Sequence, residues 1–432
     1  MIKVTEFRNA ARILSATMCL MVFPAMSLHA QTTGTSTAGW LPDDVFPITS
    51  WEALAAKTDL FGAKKNGADS LRDCGFNVAA FIRSEHVPLC EQLGMRALVA
   101  EGFPESQNKW APLNDTQIEA RVRRLIGNTA ADKIVIGYFL EDEPGTSEFP
   151  ALGKAVAAVK KLAPGKLAYI NLFPDYAIVG AKDISQLEAA SYDEYLTKYL
   201  EIVKPQFVSY DNYQVQYSMD QVVTATASSY YRNLLAVRKH AMAANVPFWN
   251  IAGSNQIMPQ FPPPSPASLQ LQAFTTLAAG AQGLSWYTYY SNGYQYAAVD
   301  TSGTRTSTWA YLKMVNDQVK VLGPLMRKLT STGVYFTAPL PAPELDQVPG
   351  QVVESITADA PLMIGEFAGQ AGEKLAMAVN LSLAKSSKIN VHPKSPLKTV
   401  RFYSSVDGAL RPLPPDGSVW LTAGQGVLLR LE

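Results

Sequence analysis

The stretch IVIGYFLEDEPG, residues 134–145, decides how this chain is read. An apolar run with the β-branched and aromatic content of a buried strand ends in Glu141, Asp142 and Glu143, and Pro144 follows at once. Carboxylates repel one another and are seldom buried without partners. Three of them at the mouth of so apolar a segment form either a solvated loop just past the strand or part of a site that needs acid.

Working outward, runs of the same kind recur. PITSW, FNVAAF, MRALVA, KIVIGYFL, KLAYINLF, PQFVSYDNY, VPFWNIAGS and AQGLSWYTYY follow one another between residues 47 and 290. Helical stretches lie between them. In EFPALGKAVAAVKKLAP the apolar residues recur at helical spacing, and ASLQLQAFTTLAAGA is opened by Ser265 as a cap with Pro266 at the first helical position. Eight strands, each followed by a helix, within about 250 residues predict an α/β fold, a (β/α)8 TIM barrel over residues 46–332. A doubly wound sheet is the structural alternative, but its glycine-rich first turn is missing. From residue 333 to 432 the helical period stops. KLAMAVNLSL, KTVRFYSSVDG and SVWLTAGQGVLLRLE alternate with turn signals, the pattern of a C-terminal antiparallel β-sandwich. TAPLPAPELDQVPG separates or decorates its first strands, and this domain is expected to pack on the barrel while the barrel carries the chemistry.

Composition narrows the function. The chain has 432 residues, and its 37 Lys and Arg balance 37 Asp and Glu, so no net field draws it to nucleic acid or anionic lipid. At the N-terminus Lys3, Arg8 and Arg12 precede the apolar ILSATMCLMVFPAM, and Ala30 precedes Gln31, which reads as an export signal over residues 1–30. A polar linker occupies residues 31–45. The apolar run is too short for a membrane anchor, so a secreted or periplasmic location is expected. Cys74 and Cys90 would then meet an oxidising compartment, as a disulfide or as two buried thiols. The four histidines are scattered as His29, His86, His240 and His392, which argues against a His-rich zinc site. No GxSxG elbow, Walker loop or dinucleotide fingerprint occurs, so neither a metal nor a cofactor is expected.

In a barrel of this kind the C-terminal strand ends form the active face, which puts the acidic triplet there. Trp51 ends the first strand, Arg83, Glu85 and His86 follow the second, Glu101 the third, and Asn171 and Asp175 the fifth. Tyr210, Asp211, Asn212 and Tyr213 end the sixth, Trp249, Asn250 and Ser254 the seventh, and Trp286, Tyr287, Tyr289 and Tyr290 the eighth. Aromatic planes with polar edges suit a pyranose ring, whose axial hydrogens lie on the rings while its hydroxyls seek donors and acceptors. The set therefore reads as a sugar cleft. Each aromatic taken alone reads more readily as core filling than as a sugar platform, and the collective pattern is what favours a cleft. Asp211 could serve as a turn former with Asn212, Glu85 as a partner of Arg83, and Glu101 as a helix cap.

GYFLEDEPG resembles the fourth-strand motif of barrel glycoside hydrolases of the large retaining clan, where an Asn-Glu-Pro ending carries the general acid/base. AGAQGLSWYTYY with AVDTSGTRTSTWAYLKMVNDQVKVLGPLM is similar to the eighth strand and last helix of the glycoside hydrolase family 42 type and its uncharacterised secreted relatives. LTAGQGVLLRL resembles the last strand of the β-domains attached to them. The resemblance gives Glu143 the acid/base role and sets Asp142 where the family has Asn.

The seventh strand departs from the family, which places its nucleophilic Glu there; PFWNIAGSNQ contains no acid. Hydrolysis of a glycosidic bond normally needs a second carboxylate. Asp211 is the best placed candidate, with Glu101, Glu85 and Asp300 behind it. Glu143 as acid needs its pKa raised by apolar walls and a neighbouring negative charge, which Asp142 supplies. Three readings follow. Glu143 and Asp211 act as the catalytic pair on an oligo- or polysaccharide; or Asp142 and Glu143 act together on an N-acetylated sugar whose own acetamido group attacks; or the cleft binds sugar without cutting it. In each, Asp142, Trp51, Glu101, Asn171, Tyr210, Tyr213, Trp249, Asn250, Trp286 and Tyr289 are the expected sugar contacts.

Overall fold

Residues 135–142 form the longest strand of the barrel, β4, with every side chain buried except the half-buried Asp142. Two of the three acids therefore belong to the strand itself. The computed structural model describes residues 41–432 except 43, 52–60, 63–65, 101–108, 179–185, 218–223, 258, 260 and 292. The expected export signal and Glu101 lie outside the described residues.

The strands β1 (Ile48–Ser50), β2 (Val78–Ile82), β3 (Arg96–Val99), β4 (Val135–Asp142), β5 (Leu167–Leu172), β6 (Val208–Asp211), β7 (Phe248–Gly253) and β8 (Gly283–Tyr287) pair in sequence order, and β1 pairs with β8. All these pairings are parallel, so the sheet is a closed barrel, and closure rules out the open doubly wound alternative. Around it run the helices α1 (Ala68–Asp73), α2 (Val87–Gln92), α3 (Asp115–Ile126), α4 (Phe149–Leu162), α5 (Tyr192–Lys198), α6 (Thr224–Ala243), α7 (Pro266–Ala278) and α8 (Ser307–Met326). Local chemistry fixes their starts. Asn114 and Gln117 form a reciprocal capping box on α3, and Ser265 with Ser268 does the same on α7, directly before Pro266.

Alternation along each strand sorts side chains into two cores. Inward-facing residues make an aromatic plug of Trp51, Phe81, Phe139, Tyr169, Phe207 and Trp249. Its rings meet mostly edge to face or tilted, with Trp51 and Phe81 centroids 4.9 Å apart and Phe207 and Trp249 5.0 Å apart. Such pairs contribute about 0.5–1.5 kcal/mol each beyond their buried area. Outward-facing residues such as Tyr138, Ile170, Tyr210 and Trp286 join the helices in the larger core.

Beyond α8 the chain is all β. A six-stranded antiparallel sheet has the order β15 (Leu410–Pro412), β14 (Val400–Tyr403), β17 (Gly426–Leu431), β12 (Lys374–Asn380), β11 (Leu362–Ala368), β9 (Thr330–Phe336). A three-stranded sheet faces it, in the order β10 (Val353–Ala358), β13 (Ser387–Pro393), β16 (Ser418–Leu421). The proline-bearing passage carries the chain from β9 in one sheet to β10 in the other. Leu362, Ile364, Ala376 and Leu429 meet Ile389, Val391 and Leu421 between the sheets. The opposite face of the larger sheet, with Met363, Phe367, Met377 and Leu428, joins the barrel core beside Phe274 and Leu277 of α7. This face lies so near α7 that a Cβ on Gly365 would collide with the Ala278 carbonyl. The sandwich is thus built onto the barrel as expected. Cys74 and Cys90 are both buried free thiols, not joined in a disulfide, with Cys74 Sγ donating to Trp309 O at 3.3 Å, and burial raises both, Cys90 to about 12.

Candidate active site

The site grows from the register of three neighbouring strands. Asp142 of β4 stands opposite Asn171 of β5, and Asn171 opposite Ser209 of β6. Asp211 lies two residues beyond Ser209 and so points to the same interior. The Asn171 amide nitrogen donates to Asp142 Oδ1 at 3.1 Å and to Asp211 Oδ1 at 2.9 Å, spending both its protons on carboxylates. Its Oδ1 accepts from Ser209 Oγ at 3.1 Å, and that hydroxyl bonds Tyr169 OH at 2.8 Å. The chain of bonds fixes the orientation of the amide.

Glu143 completes the cluster from a left-handed backbone conformation, φ 48°, unusual for a residue with a side chain. Its backbone N–H donates to Asn171 O at 2.9 Å, and Tyr195 OH donates to the next carbonyl, Pro144 O, at 2.7 Å. These bonds hold a turn that costs on the order of 1–3 kcal/mol. The result is that the Glu143 carboxyl hydrogen-bonds the Asp211 carboxyl. Burial first, then the charges of Asp211 and Asp142, push Glu143 well above the usual carboxylate range. Burial raises Asp211 too, against hydrogen bonds from Asn171, Glu143 and Tyr213 that favour its ionised form. Two touching carboxyls with one proton between them is the state this geometry favours, with Glu143 as its holder.

The acidic triplet divides. Glu141 is buried and faces Lys109, Glu148 and Arg121; desolvation lifts its pKa to about 6, opposed by a 3.1 Å hydrogen bond from the Asp142 N–H. Asp175 is also raised to about 6 by burial and accepts from Ser229 Oγ at 3.3 Å.

Of the expected sugar contacts, Tyr213 stands beside Asp211 and packs on Tyr287, centroids 5.0 Å apart, and Tyr287 OH donates to Tyr294 OH at 2.9 Å. Trp51 and Trp249 belong to the interior plug, 3% and 0% exposed. Four others face the helices. Tyr210 is wholly buried in the outer core, Asn250 Nδ2 donates to Thr276 Oγ1 of α7 at 2.7 Å, Trp286 Nε1 donates to Asn316 Oδ1 of α8 at 2.8 Å, and Tyr289 OH donates to Ser70 Oγ of α1 at 2.6 Å. Strand alternation is the reason: each flanks an inward-facing neighbour or lies beyond the strand end. Two reserve carboxylates are committed elsewhere. Glu85 lies 3.9 Å from Arg83 on the surface, and Asp300 Oδ1 accepts from the N–H groups of Ser302 and Thr304 in a turn. Ser209 and Tyr169 were not singled out from sequence, although each sits two residues before a polar residue of the cluster, a spacing that carries the signal. Among the described residues no three His, Cys, Asp or Glu side chains are grouped to hold a metal ion, and no helix is long and apolar enough to cross a membrane.

No protein-family model matches this chain, and no curated protein matches its sequence. Solved structures match its fold. A catalytic mutant of Gan42B, a GH42 β-galactosidase from G. stearothermophilus, aligns with a TM-score of 0.59 over 90% of this chain and 98% of that one, at 7% identity. A glycoside hydrolase family 5 protein from Bacteroides vulgatus aligns at 0.53 over 90% and 89%, at 11% identity. Against a β-galactosidase from the psychrophilic Marinomonas ef1 the match spans 66% of this chain and 62% of that one, at 9% identity and a TM-score of 0.46. The likeness is one of architecture, a parallel eight-stranded barrel shared with glycoside hydrolases.

Proposed function

We propose that this chain is a glycoside hydrolase acting on an oligo- or polysaccharide, with Glu143 as general acid. The observation that carries the reading is the buried contact of Glu143 with Asp211, where desolvation first and then the charges of Asp211 and Asp142 favour a proton on Glu143 that a free carboxylic acid would have lost. That proton goes to the glycosidic oxygen as its bond to the anomeric carbon breaks, and the positive charge then developing on the sugar faces Asp211 and Asp142. Asp211 is the second carboxylate of this mechanism. Attack by a carboxylate or by activated water needs separations of about 5–5.5 Å or 6.5–9.5 Å, so an entering sugar has to part the touching pair.

A second reading rests on the same contact. Where the two carboxyls stay together, and with no acid on β7, the attacking group is the substrate's own acetamido oxygen, steered by Asp142. Aryl glycosides and oligosaccharides, with and without N-acetyl groups, test both. Loss of cleavage in Glu143→Gln and Asp211→Asn, with the first-released anomer read by NMR, supports the two-carboxylate mechanism. Loss in Glu143→Gln and Asp142→Asn, on N-acetylated substrates alone, supports the assisted one. Binding without cleavage by wild type across the panel overturns both in favour of a carbohydrate-binding protein. We also propose export, through the signal read in residues 1–30; an exported protein whose N-terminus begins near residue 31 is the expected finding.

A further inference from the structure

Trp51, Trp110, Trp249 and Trp286 are at most 3% exposed, whereas Trp420 of β16 is 66% exposed. Most of a large apolar ring is left in water there, on the edge strand of its sheet, which is a liability unless the ring has a use. The six-stranded sheet stands between this three-stranded one and the barrel, so Trp420 lies apart from the site built on Glu143.

The register shows what surrounds it. Trp420 pairs with Lys388 of β13, and two residues on Asn390 pairs with Ser418 of β16 and with Thr357 of β10. Paired residues share a face, and side chains alternate along a strand. Trp420, Lys388, Asn390 and Thr357 therefore leave the outer face, while Ile389, Val391 and Leu421 fill the core beneath. Strand spacing makes this face roughly 10 Å across. A Cβ at Gly417 would stand 3.5 Å from Asn390 Nδ2, so the missing side chain leaves that amide beside an uncovered turn. Asn390 is half-buried and Thr357 exposed, and both offer hydrogen-bonding groups at the surface.

Charge on the face is balanced. The three strands hold one lysine, Lys388, and no arginine. Its Nζ lies 2.8 Å from Asp416 Oδ2, and Glu354 of β10 lies 4.0 Å from Lys394 just past β13. A polyanion is thus given no unmatched cation on these strands. A protein partner is served as poorly, because one large apolar residue among polar ones lacks the apolar core that a stable interface buries.

We propose that this outer face binds a neutral polysaccharide, with Trp420 packing on the C–H face of one sugar ring while Asn390 and Thr357 meet hydroxyl groups along the chain. An open sheet has no walls to enclose a single ring, so the contacts suit a polymer lying across the strands. A polymer held there keeps further bonds near the barrel. The choice of a glycan rests on the glycoside hydrolase reading.

Affinity electrophoresis of the full chain carrying Glu143→Gln, in native gels containing galactan, xyloglucan or mixed-linkage β-glucan and, as a charged control, polygalacturonate, tests this. At least one neutral polymer should retard migration and polygalacturonate should not. Adding Trp420→Ala should weaken that retardation about five- to tenfold, whereas adding Val406→Ala, at an 84% exposed apolar residue elsewhere in the sandwich, should leave it unchanged. Because Trp420 is exposed, Trp420→Ala alone should keep the wild-type Tm to within about 1–2 °C and the wild-type rate on aryl glycosides. Retardation by no neutral polymer, equal retardation with and without Trp420, or stronger retardation by polygalacturonate than by any neutral polymer overturns the proposal. A dimer that dissociates on Trp420→Ala in sedimentation, without retardation in the gels, overturns it in favour of a second copy of this chain. If wild type cleaves aryl glycosides and no gel shows retardation that depends on Trp420, the sheet proposal falls alone; if such retardation appears while wild type cleaves nothing, the hydrolase reading falls alone.

Discussion

At residue 143, burial and two flanking acids act in the same direction, and the consequence is measurable as a pH dependence. In the unfolded chain Glu143 titrates near 4.5, whereas in the folded protein it holds its proton to much higher pH. Between those values the unfolded state releases a proton that the native state keeps. Raising the pH therefore favours unfolding; the contribution is intact below the ordinary carboxylate value and lost as pH climbs toward the native one. Glu143→Gln removes this loss. Its Tm should match wild type near about pH 4 and exceed it by roughly 2–4 °C at alkaline pH, as scanning calorimetry across pH would show. A Tm difference that does not vary with pH would contradict the raised pKa. Asp142→Asn tests the same electrostatics through activity. Removing a negative charge beside Glu143 makes its ionisation easier, so the alkaline limb of kcat/KM should move to lower pH by about one unit.

At the scale of elements, the two-residue period of the strands decided which polar and aromatic residues share the site. Ser209 and Asp211 face inward, and Tyr210 between them cannot; Trp249 faces the plug and Asn250 the helix layer. Strand position was legible in the sequence for all of these, whereas facing requires the register, and β4 carries an irregularity between Phe139 and Glu141 that resets its alternation. That irregularity turns Asp142 rather than Glu141 inward, and the left-handed turn at Glu143 brings the third acid to the same side, which spacing within three consecutive carboxylates could not show. Element packing supplies its own test. Gly365 on β11 lets the larger sheet approach α7, so Gly365→Ala should destabilise the protein by about 1–3 kcal/mol in denaturant unfolding, with little change in pH profile because the contact lies in the barrel–sandwich core.

For the whole molecule, barrel and sandwich share one continuous apolar core through α7, where Phe274 and Leu277 meet Met363, Phe367 and Met377. A chain ending after Met326 would expose that face, so it is expected to aggregate or bind a hydrophobic dye, while a soluble, cooperatively melting barrel would show the sandwich to be dispensable. The sequence by itself determined the alternation of eight strands and helices, the change to an all-β tail, the acids at the end of the fourth strand and the lack of one on the seventh. These are local patterns, set by side-chain periodicity and by residues such as Ser265 and Pro266 that act within a single turn. Tertiary structure alone decided that Glu143 touches Asp211, that one amide on Asn171 serves two carboxylates, and that four of the expected sugar contacts are buried among helices. Those outcomes depend on contacts between residues about 30 to 70 positions apart, where barrel closure and burial, acting across strands, set the distance between charges.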